Sequence, residues 1–107
     1  MKTFLLTEPD GEKREYKFKF SLKSMMAYEQ LSSVMDKETQ TKTMMGLLAL
    51  YSCFYASNDE APDVSAFIEQ MSDDVELYAA VMSEYSEQSS EFMAVMNGHG
   101  GDDKKKR

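Results

Sequence analysis

Residues 43–56, Thr-Met-Met-Gly-Leu-Leu-Ala-Leu-Tyr-Ser-Cys-Phe-Tyr-Ala, form the one long run of the chain without a charged residue. At helical spacing the run has two apolar faces. One face contains Met44, Leu47, Leu48, Tyr51 and Tyr55, and the other contains Met45, Ala49, Cys53 and Ala56. Residues 51–55 also have strand propensity, but the length of the pattern and its Leu, Met and Ala content favour a helix. A membrane-spanning helix needs about 20 apolar residues, so this run predicts the central core helix, around which the other elements pack.

Composition indicates one small domain. The chain has 107 residues, of which 42% are hydrophobic and 29% charged, and this length supports a single modest core. Its only cysteine, Cys53, lies inside the apolar run, so we expect a buried inert thiol and neither a disulfide nor a cysteine metal site within the chain. The apolar start ends at Leu6 and Glu8 follows closely, which favours an intracellular protein over a secreted one.

Charge is distributed unevenly along the chain, whose net charge is −7. Residues 1–42 carry 8 basic and 7 acidic groups, residues 43–103 carry 12 acidic groups and no Lys or Arg, and the last four residues are all basic. A long stretch without cations repels phosphate backbones, so we expect no nucleic-acid binding.

The N-terminal residues predict a β-hairpin. Residues 3–6 are a short strand candidate, and the following Glu-Pro-Asp-Gly at positions 8–11 is typical of a turn. Residues 15–20 then alternate, which places Tyr16, Phe18 and Phe20 on one face. We expect this aromatic face to pack on the helices of the same chain, with a neighbouring subunit as the alternative. The open edges of so small a sheet also leave strand addition by a partner possible.

Helices are predicted for the rest of the domain. Ser21 is a candidate N-cap for a helix over residues 22–35, and the polar residues 36–41 form a loop or the first turns of the next helix. After a loop at residues 57–62, Asp63 is expected to cap a short helix over residues 64–71.

The last helix has the clearest amphipathic pattern. Asp73 and Glu76 stand at capping-box spacing at its start, and this structural role outweighs a metal or acid–base pair at Asp73 and Asp74. Its apolar sector contains Leu77, Tyr78, Val81, Met82, Tyr85, Phe92, Met93 and Met96, interrupted at Gln88 and Ser89, and acidic residues including Glu84, Glu87 and Glu91 lie opposite.

The second half of this sector is the candidate partner-binding site. The part up to Tyr85 is the better core candidate, whereas Phe92, Met93 and Met96 either complete the core or contact a partner or second subunit. The candidate partner-binding residues are therefore Tyr85, Phe92, Met93 and Met96. Glycines after Asn97 predict the end of the helix and a flexible charged tail over residues 97–107, in which His99 lacks the rigid frame that catalysis needs.

The fold class predicted is α+β and mostly helical: a single globular domain over residues 1–96, with a hairpin at 1–20 and three to four helices at 21–96. The sequence contains no phosphate-binding loop, nucleophile elbow or Cys/His ligand cluster. We therefore expect no enzymatic activity, no cofactor and no metal. The chain has ten methionines, whose flexible side chains suit both core filling, favoured for Met44, Met45 and Met82, and the binding of irregular apolar partners.

Three segments carry a resemblance to a known family. They are Tyr-Lys-Phe-Lys-Phe-Ser-Leu-Lys at 16–23, Leu-Leu-Ala-Leu-Tyr at 47–51, and Ser-Asp-Asp-Val-Glu-Leu-Tyr at 72–78. Together with the order of hairpin and acidic helices, over about residues 1–96, they resemble the tail assembly chaperones of long-tailed bacteriophages and prophages. The resemblance implies a small helical protein that coats the tape measure protein, self-associates and helps deliver tail tube subunits. In such families a longer form often arises by ribosomal frameshifting, and Lys104–Lys106 are compatible with a slippery codon run.

The resemblance implies the tape measure and tail tube proteins as partners, a homo-oligomer, and the cytoplasm of a bacterial host. Two other classes stay open. An acidic mimic of nucleic acid that inhibits a DNA-binding protein would use Glu84, Glu87 and Glu91, and a plain structural subunit would remain in the finished particle.

Overall fold

The structure is a computed structural model and describes the backbone of residues 2–105 and the side chains of residues 2–97. An antiparallel hairpin is followed by four α-helices, as the predicted α+β class requires. The elements in chain order are β1 (Lys2–Thr7), β2 (Lys13–Phe18), α1 (Leu22–Ser33), α2 (Lys42–Tyr55), α3 (Val64–Asp73) and α4 (Val75–Lys105), with one 3-10 turn at Lys37–Thr39 between α1 and α2.

The hairpin forms where the sequence predicts it, with Lys2 opposite Phe18 and Thr7 opposite Lys13. Gly11 has a φ of 91° in the turn, a conformation that a residue without Cβ adopts at no steric cost. Tyr16 and Phe18 are buried against the helices, so the prediction that the aromatic face packs within the chain is confirmed. β2 ends at Phe18, two residues before the predicted end, and Phe20 is only partly buried.

α2 is the central helix, and the core forms around it. Its most buried side chains are Leu50, Cys53 and Phe54, and the Phe54 ring lies 4.9 Å from Phe18 and 5.6 Å from Phe67, measured between centroids. Neither predicted stripe included Leu50 or Phe54, and Tyr55, which was included, is exposed. When a helix is apolar on all sides, its sequence does not indicate which face is buried. The packing of the neighbouring elements selects that face.

The predicted caps of α1 and α3 are both present in the structure, and α2 has a cap as well. The Ser21 side chain accepts from the Ser24 N–H and the Ser24 side chain accepts from the Ser21 N–H, which completes a capping box. Asp63 accepts from the Ala66 N–H at the start of α3, as predicted. Thr41, an unpredicted cap, does the same for Met44 at the start of α2.

The start and end of α4 differ from the prediction. In the first turn of α4, the Leu77 N–H donates a hydrogen bond to the Asp74 side chain, at 3.1 Å. Asp73, the predicted cap, belongs instead to the last turn of α3. The difference arises because α3 extends two residues past its predicted end at Met71. α4 continues to Lys105, past Asn97, because glycine disfavours a helix by about 1 kcal/mol without forbidding it. The side chain of His99 and residues 106–107 lie outside what the structure describes, and the flexibility predicted for residues 97–107 stays a prediction.

Candidate functional site

An open groove lies between α1, α2 and α4. It has a volume of about 530 Å³, which is within the range of about 300–1,000 Å³ found for binding pockets. α1 contributes Ser24, Met25, Tyr28 and Glu29, α2 contributes Met45, Gly46, Ala49, Leu50 and Cys53, and α4 contributes Met82 and Tyr85, with Phe20 at one end.

Methionine side chains dominate the exposed rim of this groove. Met25 on α1 and Met82 on α4 are each 40% exposed, and Met45 on α2 is half-buried. Met82 was expected to fill the core, but it lies at the surface because α4 leaves a gap to α1 and α2. Met44 and Met45, for which core filling was favoured over partner binding, are only partly buried.

Small residues keep the groove open on the side of α2. Gly46 and Ala49 both line it, and apart from its chain neighbours and the backbone of its own helix no atom lies within 4 Å of the position that a Cβ of Gly46 would occupy. Gly46 is the fifth residue of α2, near its first turn, and no backbone of another element approaches it closely. The free space means that a larger side chain at position 46 would project into the groove.

The base of the groove contains Leu50 and Cys53, both 1% exposed. Burial raises the pKa of the Cys53 thiol from 9.0 to about 12, and a hydrogen bond with Ser24 opposes that rise. The thiolate is the reactive form of cysteine. Cys53 is thus the buried inert thiol that the sequence predicts.

The four predicted partner-binding residues lie along α4, and Phe92, Met93 and Met96 are not among the residues that line the groove. Tyr85 lines it, and the Phe20 ring lies 5.4 Å from Tyr85 and 5.3 Å from Phe92, measured between ring centroids. Phe92 is half-buried by this contact. Met93 and Met96 are 49% and 51% exposed. The structure therefore separates the four residues into two aromatic side chains held by Phe20 and two free methionines beyond them.

The free methionines lie on the same side of α4 as Met82. At about 100° per residue, Met82, Met93 and Met96 fall within about 60° of one another around the helix axis. They flank the stripe that contains the fully buried Val81. Ser86 and Ser89 lie on the same side between Met82 and Met93, so α4 carries two separate exposed apolar patches, Met82 at the groove and Met93 with Met96 beyond it.

Sequence patterns missed the α1 and α2 walls of the groove. Met45 and Ala49 were assigned to an apolar face of the central helix, and nothing in their spacing indicates that three helices fail to close over them. The one available signal was Gly46 next to methionines in an otherwise strong helix.

The edges of the hairpin are a second candidate surface. Side-chain amides already form hydrogen bonds with some of the backbone groups along these edges. Gln70 accepts from the Thr7 N–H at 2.9 Å and donates to the Thr7 carbonyl at 3.4 Å. Asn58 makes the same pair of bonds with Lys17, at 3.0 and 2.9 Å. Each amide forms the two hydrogen bonds that one residue of an added strand would form. Each outer edge therefore has fewer unpaired backbone groups available for strand addition.

Gln88, which interrupts the apolar sector of α4 in the sequence, has a similar role. Its side-chain oxygen accepts from the Phe20 N–H at 2.7 Å, and its nitrogen donates to the Phe18 carbonyl at 3.4 Å and to Glu84 at 2.7 Å. Glu84 also pairs with Lys2 at 3.8 Å. The polar residue at position 88 thus attaches α4 to the end of β2.

The acidic residues whose side chains the structure describes are the candidates for a metal centre. Among the described side chains, no group of three or more His, Cys, Asp or Glu residues is arranged to hold a metal ion. Asp74 acts as a helix cap. Within residues 2–105, the helices are all too short or too polar to span a bilayer.

Comparison with protein-family models, curated proteins and solved structures gives no match to this chain.

Proposed function

We propose that the protein is a non-enzymatic assembly chaperone of a long-tailed phage or prophage, which binds the tape measure protein and helps to recruit tail tube subunits. The proposal places it in the cytoplasm of a bacterial host, as a homo-oligomer. Its support from the sequence is the order of hairpin, apolar central helix and acidic last helix that resembles this family.

The observation that carries the proposal is the exposed methionine surface along the groove and α4. Four methionines of this surface are at least 40% exposed, namely Met25, Met82, Met93 and Met96. Exposed apolar surface of this kind is typical of interaction sites, and flexible thioether side chains adapt to partners of different shape. A chaperone for a long helical client needs this adaptability.

The acidic half of the chain gives the proposed complex its solubility. Residues 43–97 contain acidic residues and no Lys or Arg, and an excess of one charge keeps protein assemblies apart in solution. In the proposed mechanism the groove covers the client's apolar stripe while the carboxylates face water.

Co-expression tests the proposal. The chain is produced with a tape measure protein encoded in the same gene cluster, and the soluble fraction of the client is measured. The Met93→Ser/Met96→Ser double variant should weaken the complex about tenfold or more, because each methionine buries apolar surface worth about 1 kcal/mol. Val34→Ser is the matched control, since Val34 is 80% exposed but lies at the end of α1. A client that precipitates equally with and without the chain would contradict the proposal, as would stoichiometric incorporation of the chain into finished tails.

Salt separates the proposal from the nucleic-acid mimic. The Debye length falls from about 10 Å at 0.1 M to about 3 Å at 1 M salt. A complex held by apolar contacts should persist over this range. A complex that dissociates steeply and contains a DNA-binding protein would instead support the mimic, through Glu87 and Glu91 on the exposed face of α4.

A further inference from the structure

We infer that two copies of the chain associate through β1, whose outer edges pair antiparallel and join the two hairpins into one four-stranded sheet. This inference rests on the proposed function for the homo-oligomeric state and specifies the interface. It is supported by the backbone of β1, by the side chains along the two edges and by the charge of the hairpin.

The backbone of β1 has an open edge at Thr3 and Leu5. Along an antiparallel pair, residues whose N–H and C=O groups bond to the other strand alternate with residues whose groups point outward. Thr7 belongs to the outward set, because both of its backbone groups bond to Gln70. Thr3 and Leu5 lie four and two residues before Thr7 in the same strand, so their groups point outward as well. Among the side chains of residues 2–97, only Gln70 bonds to the backbone of β1.

The open edge is complementary to itself in one register. When Phe4 faces Phe4 of the second copy, Thr3 of each copy faces Leu5 of the other, and each such pair exchanges two hydrogen bonds. A shift by two residues in one direction would place Thr3 opposite Thr7, whose groups Gln70 already occupies. The opposite shift would place Leu5 beyond the start of β1. Gln70 therefore ends the open edge and selects the register centred on Phe4.

The side chains along the two edges of the hairpin differ in a way that favours pairing at β1. Leu5 is 54% exposed, and in this register it lies diagonal to Leu5 of the second copy, at about 7–8 Å. The outward residues of β2 are instead all charged, namely Lys13, Glu15 and Lys17, and Asn58 occupies the backbone of Lys17. Charged side chains protect an edge strand from pairing. β2 has this protection, whereas the outward residues of β1 do not.

Charge allows two copies to approach each other at the hairpin. The chain has a net charge of −7, and residues 43–97 contain no Lys or Arg, so this part of one copy repels the same part of another. Residues 2–18 carry four basic and four acidic side chains. β1 contains Lys2 and no acidic residue, and in the proposed register Lys2 faces Leu6, so like charges are not directly opposite.

Pairing also gives the hairpin a more stable sheet. A two-stranded sheet is marginal in water, whereas three or more strands with an apolar face are stable. The paired segment, residues 2–6, is short, and small interfaces are typical of weak complexes. We therefore expect a dimer that forms as the concentration of the chain increases.

Sedimentation velocity and amide hydrogen exchange of the full chain test the inference together. An increase from about 10 μM to about 1 mM should convert monomer to dimer and slow exchange at the Thr3 and Leu5 amides by at least about threefold. The amide of Glu15, which points outward on β2, is the internal control and should not change. A chain that stays monomeric would overturn the inference, as would a dimer in which Thr3 and Leu5 exchange as fast as in the monomer.

Two variants at position 5 weaken the pairing by different means. Leu5→Lys brings two lysines close together and Leu5→Pro removes an outward N–H, so each should raise the dissociation constant of the dimer by at least about tenfold. Val34→Lys adds the same charge at a position that is 80% exposed, and Glu15→Pro removes an outward N–H of β2. Both controls should dimerise like the unmodified chain.

Thermal midpoints measured on dilute samples show whether these variants fold. Leu5 is exposed, so Leu5→Lys should keep a midpoint close to that of the unmodified chain. Dimerisation of folded Leu5→Lys as tight as that of the unmodified chain would exclude this edge as the interface.

The client assay distinguishes failure of this inference from failure of the proposed function. If the chain dimerises with Thr3 and Leu5 unprotected and still keeps the client soluble, the interface is wrong and the chaperone proposal stands. If these amides become protected only after the client is added, the edge binds a strand of the client and the second copy is the wrong occupant. If β1 pairs as proposed and the client precipitates all the same, the inference stands and the chaperone proposal is wrong.

Discussion

Cys53 shows how one buried residue makes stability depend on pH. Burial raises the pKa of its thiol from 9.0 to about 12, so between these values the unfolded chain loses a proton that the folded chain retains. Burial also raises the pKa values of Tyr51 and Tyr85 above 10.0 and that of Tyr16 to about 12, where a hydrogen bond to Glu8 adds to the rise. The stabilisation is complete below pH 9 and is lost as the pH increases toward 12.

The free energy of unfolding should therefore decrease above pH 9, with Cys53 contributing a slope of about 1.4 kcal/mol per pH unit. Urea unfolding at pH 7, 9, 10 and 11 measures this slope. Cys53→Ala should remove the decrease between pH 9 and 10 and keep the decrease above pH 10, where the tyrosines ionise. If the free energy of unfolding of Cys53→Ala decreases equally between pH 9 and 10, the decrease is caused by a group other than Cys53.

The cap of α4 is a second prediction at the residue scale. Asp74→Ala should lower the free energy of unfolding by about 0.5–2 kcal/mol, because the Leu77 N–H loses its acceptor. Asp73→Ala is the matched control and should change stability by less than about 0.5 kcal/mol, since Asp73 is an exposed residue of α3. Urea denaturation measures the free energy of unfolding of both variants. A larger loss in Asp73→Ala than in Asp74→Ala would contradict this assignment and support Asp73, the cap that the sequence predicts.

At the scale of elements, side-chain amides connect the hairpin to the rest of the fold. A two-stranded sheet alone is marginally stable in water. Asn58 follows α2, Gln70 belongs to α3 and Gln88 belongs to α4, and each bonds to backbone atoms at the outer edge or end of a strand. The hairpin is thus attached by polar contacts to three successive parts of the chain, in addition to its buried aromatic face.

Replacing Gln88 tests this attachment. Gln88→Leu preserves the size of the side chain but leaves the Phe20 N–H without its acceptor, so the free energy of unfolding should fall by about 1–3 kcal/mol. Hydrogen exchange at the Phe20 amide should accelerate as well. Ser90→Ala, two residues further on the exposed face of α4, should alter neither. Unchanged exchange at Phe20 in Gln88→Leu would mean that this hydrogen bond does not connect the two elements.

The predictability of each element follows from its local signals. The hairpin has an alternating strand and a turn sequence, and α1 and α3 have polar caps, so their positions follow from the sequence. Leu50 and Phe54 were missed because α2 is apolar on every side. Gln70 and Gln88 were missed because a polar residue on a helix gives no indication that a strand end lies opposite.

At the scale of the whole molecule, charge and apolar surface are partly segregated. The sequence predicts the acidic last helix, because this is a pattern within one segment, but it left Met93 and Met96 open between the core and a partner contact. The groove depends on the distance that α4 keeps from α1 and α2, which is a property of three elements together. Its residues could be identified as apolar from the sequence, but not as exposed.

Methyl NMR of methionine tests most directly whether this surface binds another chain. With ¹³C-labelled methionine methyl groups in the full chain, addition of the client should shift the signals of the groove and of α4, namely Met25, Met45, Met82, Met93 and Met96. Met71, which is 4% exposed in the core, and Met26, which is exposed but does not line the groove, serve as internal controls. The account predicts shifts in the first group and unchanged signals for Met26 and Met71. A soluble complex in which the groove signals do not move, or in which only Met26 moves, would contradict it.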